Sequence, residues 1–82
     1  MKTDPLMSCL PRQSAEIVEE LTTKFLQKQI GKNDMAVING LMATAAIMLV
    51  THCQITGEDF EDMVADHADL FRMAAKVAWD NK

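Results

Sequence analysis

Apolar and polar positions recur with a helical period along most of this chain, but one stretch has no polar side. From Met35 to Gly57 the sequence reads MAVINGLMATAAIMLVTHCQITG, without a single Asp, Glu, Lys or Arg. A helix that is apolar on every side must be buried nearly all round, in a protein core or in lipid. We therefore expect a helix over residues 35–53 that is covered by copies of itself, by another protein or by a bilayer.

The segments on either side of this run have the pattern of amphipathic helices. Over residues 12–30 apolar side chains recur three and four positions apart, and Gly31 is a natural left-handed end for that helix. Over residues 58–80 the apolar positions form one wide stripe. Acidic residues lie in its first turns and Arg72 and Lys76 come late, which complements the helix dipole.

Two short turns separate the three predicted helices. Asn33 or Asp34 is expected to cap the second helix, because a short polar side chain can accept a hydrogen bond from the first free amides. Thr56 and Asp59 have the spacing of a capping box, which predicts that the third helix begins at Glu58.

The first eleven residues hold both prolines, Pro5 and Pro11, and are interpreted as an N-terminal arm. Two alternatives stay open for it: a frayed tail, or an arm with one short turn after Asp4, in which Pro5 fills the first helical position. No apolar run follows the basic start, so a signal peptide is not expected. Residues 12–82 are then one helical domain, with helices at about 12–30, 35–53 and 58–80.

The fold class that follows is all-α: a small antiparallel three-helix bundle that assembles as a homo-oligomer through its apolar central helix. Short loops favour antiparallel neighbours. In a lone three-helix bundle each helix keeps an outward face, and the central helix has nothing polar to place there. Small residues on it would let another helix approach closely. Asn39 would either fix the register between paired helices or bond to a neighbouring backbone group. The expected self-association residues are Ala36, Asn39, Gly40, Ala43, Ile47 and Val50.

The charge is acidic and unevenly placed. The net charge is −4, and the first turns of the third helix hold a cluster of acids with no Lys or Arg among them. This balance argues against a nucleic-acid binder, which would present a basic face. The cluster is either a solvated helix face or a recognition surface for a protein with a basic patch. The residues assigned to that surface are Glu58, Asp59, Asp62, Asp66 and Asp69.

The sequence offers little that could carry a reaction. It holds no phosphate-binding loop, no nucleophile motif and no Cys-x-x-Cys pair, so neither an enzyme nor a cofactor is expected. Cys9 and Cys53 do not form a disulfide framework and fit reduced thiols in the cytoplasm. His67 falls inside the apolar stripe of the third helix, as a core or interface histidine or as a ligand-binding or pH-sensing group. His52 closes the second helix, where a dipole interaction is the simpler interpretation.

A membrane span is the minor alternative. About 20 apolar residues can cross a bilayer, but five polar residues dilute this run and the flanking apolar stripes are of a size to cover it. The leading hypothesis is a cytoplasmic, non-catalytic homo-oligomer, dimer or tetramer, that binds another protein as an accessory, regulatory or inhibitory module. A bundle that sequesters a small molecule between subunits, near His67, Asn39 or His52, is the second hypothesis.

Overall fold

The computed structural model describes residues 4–81, and within them the protein is entirely helical. Helix accounts for 86% of these residues and no strand occurs among them, which confirms the all-α class. Four α-helices follow one another: α1 (Asp4–Ser8), α2 (Arg12–Glu20), α3 (Asp34–Thr56) and α4 (Phe60–Asp80). The short α1 occupies part of the predicted N-terminal arm. Residues 1–3 of that arm and residue 82 lie outside the described part of the chain.

The chain divides into two compact units, and the first combines residues 4–30 with residues 71–81. In it, α2 continues into a π-helical turn (Leu21–Phe25) and a 3-10 turn (Leu26–Gln29). The prediction of a helix over 12–30 is thus right in extent but wrong in form beyond Glu20. The hydroxyls of Thr22 and Thr23 both donate to backbone carbonyls one turn earlier, a bond that competes with regular α-helical pairing.

The second unit, residues 31–70, holds α3 and the first half of α4. The start of α3 agrees with the sequence: the Asn33 side chain accepts a hydrogen bond from the Ala36 amide at 3.1 Å, and Gly31 has a left-handed φ of +93°. At the other end, Gly57 has φ +78° and its amide donates to the Cys53 carbonyl at 2.8 Å. This left-handed cap carries α3 to Thr56, three residues beyond the predicted end.

The predicted capping box at the start of α4 is wrong. Thr56 is still the last residue of α3, and its hydroxyl donates to the His52 carbonyl at 2.9 Å. Asp59 caps α4 instead, because its carboxylate accepts from the Asp62 amide at 2.9 Å. The helix consequently begins at Phe60 rather than at Glu58.

Burial is sparse throughout. Among the described residues only Cys53 is classed as buried, with 9% of its surface exposed. The apolar stripes of α2 and α4 stay largely open as well, since Ile17 is 57% and Phe71 is 59% exposed. The expectation that these stripes would cover the apolar run of α3 stays a prediction.

Replacement of Gly57 by alanine should destabilise the turn between α3 and α4. No atom lies within 4 Å of the position that a Cβ would take, so the loss comes from the left-handed backbone alone, about 1–2 kcal/mol. Gly57→Asn should cost less, because Asn adopts this conformation more readily. Urea unfolding followed by circular dichroism measures both variants. Equal stability of Gly57→Ala and the parent chain would contradict the assignment.

Candidate interaction surface

Helix α3 has no charged side chain beyond Asp34 in its first turn, and much of its apolar surface is exposed to solvent. Its apolarity is spread around the whole circumference, without a preferred face. Only 6% of its most apolar stretch is buried. Ile47 is 68%, Met48 is 67% and Ile55 is 80% exposed. A contiguous apolar surface of this kind marks a site for another protein or for a membrane.

Two sides of α3 differ in how open they are. The least exposed residues, Val37, Leu49 and Cys53, fall within one half of the helix circumference. At 100° per residue, a row with alternating spacings of four and three residues runs along the opposite side. All its members are exposed. We call this row the α3 stripe; it consists of Ala36, Gly40, Ala43, Ile47, Val50 and Gln54.

The position of Gly40 on the stripe is not explained by contacts within the chain. A Cβ built there would meet no other atom within 4 Å. Glycine inside a helix costs about 1 kcal/mol relative to alanine. Since the chain itself has no need of the missing side chain, the space it leaves is available to a helix from outside.

The polar side chains of α3 are mostly satisfied without water. The hydroxyls of Thr44, Thr51 and Thr56 donate to the carbonyls of Gly40, Ile47 and His52, at 2.8, 3.0 and 2.9 Å. Burial of a hydroxyl is costly only when its hydrogen bond is lost. Each of these three threonines can therefore enter an apolar environment with its donor already paired.

Asn39 differs from these threonines, and it lies on the flank of the stripe. Its side chain is exposed and makes no hydrogen bond within the described part of the chain. The sequence left two roles open for it, a register-fixing contact and a bond to a neighbouring backbone group. No such backbone bond is present among residues 4–81, so a partner contact is the role still available.

The predicted acidic surface is exposed, but two of its five members have roles in the turn. Asp59 caps α4, and Glu58 pairs with His52 as described below. The other three, Asp62, Asp66 and Asp69, are spaced four and three residues apart, so they follow one side of α4. They are the part of the cluster that remains available to a partner; we call them the acidic row.

Two side-chain contacts link the end of α3 to Glu58 in the turn before α4, and one of them is the hydrogen bond that the Glu58 amide donates to the Thr56 hydroxyl at 3.2 Å. His52 Nε2 lies 2.6 Å from Glu58 Oε2, with the two side chains 49% and 51% exposed. From the sequence we expected His52 to interact with its own helix end, and this carboxylate partner was missed. The signal that could have revealed it is an acid directly after the left-handed Gly57, six residues beyond a histidine near the end of a helix.

His67, predicted to be a core or interface histidine, is not buried within the single chain, which leaves the interface position as a prediction. It is exposed, and its Nδ1 lies 2.7 Å from the Met63 carbonyl oxygen one turn earlier. The backbone carbonyl can only accept, so this nitrogen donates and fixes the ring against its own helix. His67 occupies the predicted stripe of α4, but that stripe is itself largely uncovered.

No metal or thiol chemistry is assembled in the described residues. No group of three or more His, Cys, Asp or Glu side chains lies close enough there to hold a metal ion. Of the two cysteines, Cys9 is exposed and Cys53 is buried.

The length of α3 is also compatible with a bilayer. Its 23 residues span about 35 Å at 1.5 Å per residue, and the hydrocarbon core is about 30 Å thick. Among the described helices it is the one that length and composition would allow to cross a membrane. The same test is passed by core helices of soluble proteins, so this property alone does not decide between lipid and a protein partner.

Comparison with protein-family models, with curated proteins and with solved structures yields no match for this chain.

The contact between His52 and Glu58 should contribute little to stability, because both groups are half-exposed. A double-mutant cycle with His52→Ala and Glu58→Ala should give a coupling of about 0.2–1 kcal/mol, measured by urea unfolding. The matched control is the Lys76 and Asp80 pair on α4, at 3.0 Å and similarly exposed. A coupling above about 2 kcal/mol would contradict this view and identify the contact as a main constraint on the turn.

Proposed function

We propose that this protein is a non-catalytic, homo-oligomeric helical module whose work is association. In this proposal, copies of the chain bury α3 at their interface, with the helices of the assembled bundle antiparallel to their neighbours. The single observation that carries it is the exposure, in the isolated chain, of a 23-residue helix whose one charged residue is Asp34 in its first turn.

The energetics favour association through α3. Full burial of an Ile or Met side chain contributes about 1.5–3 kcal/mol. Several such side chains on α3 are half or more exposed, among them Met35, Met42, Ile47 and Met48. Their combined burial exceeds the low end of the cost of association, about 4–15 kcal/mol. The three paired threonine hydroxyls add no large desolvation penalty.

The outward surface suggests what the oligomer does. The acidic row on α4 is exposed and carries three carboxylates on one side, in a chain of net charge −4. Such a surface steers and orients a protein with a basic patch. We therefore propose an accessory, regulatory or inhibitory role in the cytoplasm, exercised by binding another protein and without a cofactor.

A membrane span is the second candidate, and the length and openness of α3 favour it specifically. In this case lipid covers α3, and the same threonine hydroxyls are satisfied by their own helix. The two candidates differ in what keeps the purified protein soluble. An oligomer should stay soluble in buffer alone, whereas a membrane span should need detergent.

Gly40→Leu should weaken the oligomer without harming the isolated chain. A leucine side chain enters open space there and raises helix propensity, so helix content should hold. At an interface the same side chain overpacks each contact. The cost is about 1–3 kcal/mol of free energy per contact, which raises the dissociation constant at least tenfold. Light scattering after size exclusion, in buffer without detergent, measures the mass.

The control for that experiment is Ala65→Leu, which adds the same side chain at an exposed position of α4 away from its apolar stripe. It should keep the parent mass. A parent chain that is a stable monomer would overturn the oligomer proposal. A parent chain that stays dispersed only in detergent would favour the membrane candidate instead.

Charge reversal of the acidic row should abolish partner binding and preserve the fold. Asp62, Asp66 and Asp69 replaced together by Lys lose the proposed attraction, while α4 keeps its cap at Asp59. Capture from a cell extract by each tagged chain, with quantitative mass spectrometry, compares the bound proteins. The control reverses an equal number of charges on α2. A partner that both variants lose equally would show that net charge alone, and not this surface, governs binding. The control residues are Glu16, Glu19 and Glu20.

A further inference from the structure

The α3 stripe has a graded shape that points to one arrangement of two copies. Its first half holds the small residues Ala36, Gly40 and Ala43, and its second half holds the larger Ile47, Val50 and Gln54. Two such stripes side by side in the same direction would meet bulky against bulky at one end and small against small at the other. Turned end for end, each small residue meets a large one.

The spacing makes that match self-consistent. In a two-fold symmetric pair, if one residue contacts a second on the partner, the second contacts the first in return. With the symmetry axis beside residue 45, the midpoint of α3, Ala43 pairs with position 47, Gly40 with position 50 and Ala36 with position 54. One register therefore pairs a small residue with a larger one at all three levels. We propose that α3 pairs with α3 of a second copy in this antiparallel register, an inference that rests on the proposed self-association.

Charge at the two ends of the helix supports the same direction. Lys32 lies just before α3 and Glu58 just after it, and both are exposed. The antiparallel register brings Lys32 of each copy to the end where the other copy has Glu58. A parallel pair would instead gather the acids that follow α3 at one end, where like charges repel. Antiparallel helices also place opposite ends of their dipoles together.

The open space at Gly40 allows the second helix to approach closely where Gly40 meets position 50. Nothing within the chain lies within 4 Å of the missing Cβ, so the partner's side chain at position 50 can enter there without displacing any group. Val50 is 39% exposed in the single chain and is free to fill it.

Cysteine cross-linking tests the register directly. In a background of Cys9→Ser and Cys53→Ala, one tagged chain carries Ala36→Cys and a second, differently tagged chain carries Gln54→Cys. After mixing and mild oxidation, a disulfide should join position 36 of one chain to position 54 of the other. Ala36→Cys should not link to itself, because the two copies lie about 27 Å apart along the axis, beyond the roughly 7 Å that a disulfide allows.

The outcomes separate this inference from the proposed function. An oligomer in which position 36 links to itself would overturn the antiparallel register and leave self-association intact. An oligomer without either link would place the interface elsewhere and overturn the inference as well. A detergent-free monomer, or a parent chain that remains dispersed only in detergent, would remove the proposed function and the inference together.

A charge-swap pair in the parent cysteine background keeps the test open if the cysteine variants fail to fold. Lys32→Glu should raise the dissociation constant of the pair about three- to tenfold, since two symmetry-related surface contacts become repulsive. The double variant Lys32→Glu with Glu58→Lys should bind more tightly than either single variant, because the opposite charges face one another again. Lys24→Glu, with the same change of charge but outside the second unit, is the control and should leave the constant within twofold. No rescue by the second change would overturn the register.

Discussion

The constraint on which the rest of this structure depends is the absence of charge between Asp34 and Glu58. An uncharged helix of this length cannot remain in water on all sides without a large unfavourable exposure of apolar surface. Within the described part of the chain only Cys53 is buried. Cover from outside the chain, as proposed above, would remove that exposure.

Several local features of α3 are compatible with cover from outside the chain. Threonines are unusual in a helix interior because their hydroxyls compete for backbone groups, but here each donates to a carbonyl one turn earlier. Gly40 weakens the helix in isolation and gains nothing from the chain's own contacts. Both features are costly or neutral for the stability of a lone chain. They are compatible with a helix whose surroundings are apolar and closely packed.

The helices themselves could be predicted from periodicity, because the three- and four-residue spacing and the stop at Gly31 are local properties. Asn33 as the cap of α3 also follows from local chemistry. The start of α4 could not be fixed in this way, since Thr56 and Asp59 each offer a capping oxygen, and Thr56 is taken up by the end of α3, which leaves Asp59 as the cap. Burial of His67 was inferred from its place on a stripe, and a stripe states which side is apolar without stating that anything covers it. The pairing of His52 with Glu58 depends on the path of the turn, which sequence spacing does not specify.

The shape of α3 bears on how a second helix could pack against it. Lipid tails adapt to any apolar outline, so an ordered change of side-chain size along one side matters where another helix packs against that side. The α3 stripe has such an order, from Ala36 and Gly40 at its start to Ile47 and Val50 towards its end, and it lies opposite the least exposed row of the same helix. A graded surface is complementary to itself only when the second copy runs in the opposite direction. That match is favourable because voids between mismatched side chains would remove van der Waals contacts.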